Sequence, residues 1–157
     1  MPYPAQVEEI DRQIVDLLSR DGRMSFTDLG KATGLSTSAV HQRVRRLEQR
    51  GVIRGYAAVV NPDALGLPLT AFVSVTPLDS SAPDDVPDQL SGLDEIEACY
   101  SVAGIENYIL KVRVKNPGEL ESLLAKIRAA AAVSTRTTVV LSTPFESRPI
   151  RTSQALA

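Results

Sequence analysis

Between Ser36 and Arg50 the chain places four arginines, its only histidine, two glutamines and one acid, Glu48. On a helix turning about 100° per residue, Ser38, Gln42, Arg45 and Gln49 share one side, with Arg46 close by. Thr37 and His41 flank one edge of that side and Arg43 the other, while Val40, Val44 and Leu47 fall opposite and must pack inward. Glutamine suits adenine, arginine suits guanine, and small hydroxyl residues near a helix start allow close approach to bases or phosphates. Arg43 and Arg46 are placed for the phosphate backbone. The candidate duplex-binding set is therefore Ser36, Thr37, Ser38, His41, Gln42, Arg43, Arg45 and Arg46. The bland alternative is a charged, solvated helix. Such helices usually mix signs for i,i+4 pairing, and this face has no acid before Glu48. His41 has no second ligand near it in sequence, which favours a groove or phosphate contact over a metal.

Three helix signatures build the frame for that strip. In "EEIDRQIVDLLSRDGR", Ile10, Ile14, Leu17 and Leu18 form one apolar face that stops near Asp21-Gly22. "SFTDLGKATG" opens with Ser25 and Asp28 in capping-box spacing, turns Phe26, Leu29 and Ala32 inward, and closes on Gly34. "LSTSAV" restarts at once with Ser36 as N-cap. Two short helices, a tight glycine turn and a basic third helix spell a helix-turn-helix. "VIRGYAAVVNP" alternates with period two and predicts a strand, either a wing or the start of a linker; "NPDALGLP" reads as a hinge.

From Leu69 the pattern changes. "TAFVSVTPL", "EIEACYSVAG", "NYILKVRVKN" and "TRTTVVLST" read as strands, with a weak helix around Pro87 and a strong one from Pro117 carrying Leu120, Leu123, Leu124 and Ile127. The order βαββαβ is a ferredoxin-like split βαβ, with both helices on one sheet face and the other face in need of a cover, most simply a second copy. The expected fold class is α+β: an N-terminal winged helix-turn-helix (1–60), a hinge (61–68), a ferredoxin-like domain (69–145) and a tail (146–157). The loop "SVAGIENY" has Gly104 for a tight turn, and free amides there suit a small anion such as a carboxylate. An empty β-turn is the equal alternative.

Composition narrows the function classes. The net charge of −2 hides a split, because residues 1–60 hold nine Lys/Arg against seven Asp/Glu, and the remainder eight against twelve. The positive charge is local, where a polyanion would bind. One cysteine, Cys99, excludes an internal disulfide and reads as a buried, inert thiol; Asp84, Asp85 and Asp88 read as a solvated surface. No phosphate loop or HxxxH pair is present, and a single histidine leaves no base for a nucleophile. No catalytic residue, metal or cofactor is expected. With no signal peptide and no apolar run near ~20 residues, the expected compartment is the cytoplasm, with no membrane partner.

The blocks "IDRQIVDLLSRDGR", "LGKATGLSTSAVHQRVRRLEQRGVIRGY", "EIEACYSVAGIENYILKVRV" and "TRTTVVL" together resemble the Lrp/AsnC (leucine-responsive, feast–famine) family of transcription regulators, especially its actinobacterial, LrpA-like members. The likeness runs roughly from Glu9 to Leu141. It implies a C-terminal domain for regulation of amino-acid metabolism (RAM) that dimerises, assembles further into octamers of four dimers, and binds an amino-acid effector between dimers. The family's effector loop maps onto Tyr100, Val102, Ala103, Gly104, Glu106, Asn107 and Tyr108, with Thr135, Thr137 and Thr138 of a neighbouring subunit as partners. Many members have Asp where this chain has Asn107; Asn offers a ligand ammonium only a neutral carbonyl, and Glu106 is the residue able to compensate. The implied partners are roughly palindromic double-stranded DNA, an amino acid, and further copies of the chain. The alternative function is a small-molecule-sensing or oligomerisation module whose helix-turn-helix contacts protein.

Overall fold

The computed structural model describes residues 7–81 and 83–150. Two compact units emerge, one around the N-terminal helices and one spanning Val60–Pro144. The first contains α1 (Glu9–Arg20), α2 (Phe26–Thr33) and α3 (Thr37–Gln49). Ile14 and Leu18 of α1, Leu29 of α2, and Val40, Val44 and Leu47 of α3 form its small core. Phe26 and Ala32, expected inward, are exposed instead, because a two-turn helix buries only a narrow stripe and Leu29 and Gly30 occupy it.

Gly30 is the packing hinge of the turn. A Cβ built there would stand 2.6 Å from the Leu35 carbonyl oxygen, so only glycine lets α2 approach its own exit loop this closely. Gly34 closes α2 at φ 73°, and the amides of Gly34 and Leu35 both donate to the Gly30 carbonyl.

The second unit is a four-stranded antiparallel sheet, β1 (Leu69–Pro77), β2 (Ile96–Ser101), β3 (Tyr108–Val114) and β4 (Val133–Val139), in the order β2-β3-β1-β4. With α4 (Val86–Leu90) and α5 (Pro117–Ala131) it is the ferredoxin-like arrangement read from the chain. Asn116 caps α5 by accepting from the Glu119 amide at 2.9 Å. Ala71, Val73, Val75, Leu110 and Val112 pack beneath α5 residues Leu123 and Ile127. The opposite face carries Phe72, Ser74, Ile109, Lys111, Arg136 and Thr138 by strand parity.

Three further expectations change. Residues 52–61 form no strand; a strand needs a ladder partner, and none of the described residues pairs with them in one. Cys99 is exposed, since it sits on the sheet-edge strand β2. Asp84 is more than solvated surface, because it accepts the Tyr108 hydroxyl and anchors its loop to the core. Residues 145–150 have no regular structure, with Arg148 over the Phe145 ring at 3.7 Å, and the rest of the expected tail lies outside the described residues. Among the described residues no helix is long and apolar enough to cross a membrane.

Candidate functional site

The first site is the outer face of α3. Thr37, Ser38, His41, Gln42, Arg45 and Arg46 are all exposed. Ser36 is the cap itself, accepting from the Ala39 amide at 3.2 Å, with the Ser38 hydroxyl also 3.2 Å away. Glu48, the single acid on α3, accepts the Tyr56 hydroxyl at 3.0 Å. Burial of Tyr56, and then this carboxylate, push the phenol pKa upward. The strip ahead of Glu48 therefore presents only neutral and cationic groups.

Arg43 departs from its expected role. Its Nη1 lies 2.9 Å from both Glu8 Oε2 and Asp11 Oδ1, tying α3 to the start of α1. The Asp11 side chain is 9% exposed and that of Arg43 22%, so the guanidinium serves the fold rather than facing outward to a phosphate. The hydrogen bonds that Arg43 donates to Asp11 and then to Glu8 raise its pKa, and the one to Glu8 holds that carboxyl low. The sequence signal was the i,i+3 pair of acids formed by the α1 N-cap Glu8 and Asp11, legible only once α1 and α3 are known to touch.

The second site lies around the loop between β2 and β3. A hollow of about 190 Å³ is lined by Ser74, Thr76, Ile105, Glu106, Ser134, Thr135 and Arg136. Glu106 accepts from the Ser74 hydroxyl at 2.7 Å and from Arg136 Nη2 at 3.3 Å. The Ser74 bond, the residue's own amide and Arg136 together hold the Glu106 carboxyl below its ordinary range. Sequence reasoning missed Ser74 and Arg136. Their signal was parity: each alternates with residues whose side chains point to the helices.

Of the loop residues, Val102 donates its amide to Asn107 and Asn107 donates to Val75, fixing both ends. Among the described residues the amides of Ala103, Gly104 and Ile105 have no partner. Gly104 does not need to be glycine for the backbone: its φ is outside the left-handed range and a Cβ there would meet open space. Tyr100 is exposed and Asn107 is exposed at the loop end. Tyr108 is not at the site; its side chain is in the core at 2% exposure, on the parity of Leu110 and Val112. The threonines are also divided. Thr135 borders the hollow of its own chain and accepts from Arg128, Thr137 faces the helix side opposite Val73, and Thr138 is on the open face opposite Phe72.

A helix-turn-helix with a cationic outer face and a ferredoxin-like unit with a polar hollow at one loop define a DNA-binding, ligand-binding regulator. The AsnC-type helix-turn-helix domain matches residues 8–48, and the Lrp/AsnC ligand binding domain matches 70–150. The chain belongs to the Lrp/AsnC family. It is 51% identical to the HTH-type transcriptional regulator LrpA of Mycobacterium tuberculosis, over 90% of this chain and 95% of that one. It is 40% identical to the leucine-responsive regulatory protein of Salmonella typhimurium, over 86% and 85%. The feast or famine regulatory protein of M. tuberculosis, solved in complex with L-methionine, superposes at a TM-score of 0.91 with 50% identity, covering 92% of this chain and 99% of that one.

Proposed function

We propose that this protein is a sequence-specific transcriptional regulator whose α3 enters the major groove and whose β2–β3 loop binds an amino-acid effector. The observation that carries the reading is the acid-free exposed strip Thr37–Arg46, held outward by the buried Val40–Val44–Leu47 seam. Gln42 and Arg45 read base edges, and Arg46 contacts phosphate. A second copy covers the open sheet face and brings a second α3 to a roughly palindromic target, with half-sites one or more helical turns apart. Higher assembly, up to four dimers, gives the effector an equilibrium to bias. The mechanism needs no metal, cofactor or catalysis.

A duplex selected from random sequence by the wild-type protein tests the first half. Arg45→Ala and Gln42→Ala should each weaken that duplex by about 1–3 kcal/mol while leaving random DNA nearly unchanged, whereas Arg46→Ala should weaken both and flatten the salt slope. Binding without salt dependence would instead favour a helix-turn-helix that contacts protein.

The hollow and the loop beside it match a zwitterion in charge: Glu106 for the ammonium, Arg136 in the hollow and the unpartnered Ala103–Ile105 amides of the adjoining loop for the carboxylate. The L-methionine complex of the M. tuberculosis protein supports an amino acid of that class. Because the Glu106 carboxyl titrates below its ordinary range, calorimetric affinity for L-methionine should hold from neutral pH through that range and fall only beneath it. Glu106→Gln should be weak at every pH. Gly104→Asp has room within the chain, so it should leave stability within about 0.5 kcal/mol of wild type yet abolish titration by repelling the ligand carboxylate. Wild-type titration by both variants would place the ligand elsewhere.

A further inference from the structure

Phe26 is a large aromatic at the first position of α2, 37% exposed and absent from the core of its unit. Its ring meets the imidazole of His41 edge to face, with centroids 5.2 Å apart and planes at 68°. His41 is exposed on α3, one turn after Thr37 and one turn before Arg45, beside Gln42. An exposed imidazole on a helix ordinarily samples several rotamers, and ordering it on binding costs affinity. An aromatic edge-to-face contact favours one orientation in advance. Among the described residues neither imidazole nitrogen has a hydrogen-bond partner. A neutral imidazole has one N–H donor and one acceptor. On the major-groove edge the acceptor common to adenine and guanine is N7.

We propose that Phe26 is a positioning residue that pre-orients His41 to donate to N7 of a purine at one base pair in each half-site. The pair discriminates purine from pyrimidine and leaves A against G to Gln42 and Arg45. The inference rests on the reading of α3 as the duplex-reading helix, and Phe26 belongs to it although α2 itself carries no base-reading group.

The test is a scan of the selected duplex with 7-deazapurines, which lack N7, against the full-length protein. One purine per half-site should cost the wild type about three- to tenfold in Kd when replaced, the range of one net hydrogen bond. His41→Ala should bind native and 7-deaza duplexes alike at that position. Phe26→Leu, which keeps apolar bulk without a ring, should shrink the penalty below about twofold, and Phe26→Tyr should restore it. Thermal melting separates this from folding, because both Phe26 variants should melt close to wild type. An unchanged penalty in His41→Ala or in Phe26→Leu at every position overturns the proposal. Arg45→Ala separates the two readings: if it binds the selected duplex as wild type does, the helix reading itself fails; if it loses binding while the 7-deaza scan is flat, only the His41 assignment fails.

Discussion

Arg43→Ala is expected to destabilise the N-terminal unit by about 3 kcal/mol, the low end for breaking a buried ion pair. The variant leaves Asp11, with a nearly buried side chain, without the guanidinium 2.9 Å away. Part of the pair is solvated, which keeps the loss from the top of the range. The core of this unit rests on six buried side chains, so a loss of that size is a large part of its stability. Urea titration followed by far-UV circular dichroism reads it directly, since the unit is helical. Glu8→Gln, removing an exposed partner, should cost far less. Arg43→Met combined with Asp11→Leu should recover most of the loss, because an apolar pair replaces both charges at once. Near wild-type stability in Arg43→Ala, with equal weakening on all duplexes, would return Arg43 to the phosphate-contacting role expected from its place on the wheel.

Gly30→Ala is the second large effect. The added methyl must displace the Leu35 carbonyl, which is backbone and part of the turn between α2 and α3. Overpacking of this kind costs about 1–3 kcal/mol, against which alanine recovers up to about 1 kcal/mol of helix propensity. DNA binding should fall further than the folded fraction does, since forcing the turn open re-aims α3. The control is Gly34→Ala, which meets no atom within 4 Å and carries only the penalty of a left-handed φ of 73°. Calorimetric melting should show Gly30→Ala below wild type, and the selected duplex should report the excess loss. A Gly30→Ala protein that melts and binds like wild type would contradict the close approach.

Much of this molecule was legible in the chain. The caps Ser25 and Ser36 are short polar residues at the starts of helical runs, and the alternation of β3 and the stripe of α5 announce the sheet and its cover. The outward strip of α3 follows from its period alone. What was hidden depends on contacts between distant segments. Arg43 reads as a phosphate contact until Glu8, thirty-five positions earlier, is seen beside it. Phe26 reads as core because aromatic residues usually are; its partner, His41, lies on another helix. Tyr108 was assigned to the loop by its neighbours, although its parity with Leu110 and Val114 already marked it as buried. Ser74 and Arg136 come together with Glu106 only because β1 pairs with β4 and the loop folds over both. The predicted strand after α3 failed for the opposite reason, since alternation promises a strand only where a ladder partner exists.

The placement of α3 against DNA can be measured by photocrosslinking with p-benzoylphenylalanine introduced at Gln42 on α3 or, as control, at the exposed Gln13 on α1. On the selected duplex, position 42 should crosslink to bases of each half-site and position 13 should give none. Crosslinks from position 13 with none from position 42, in a protein that still binds the duplex, would contradict the assignment of α3 as the reading helix.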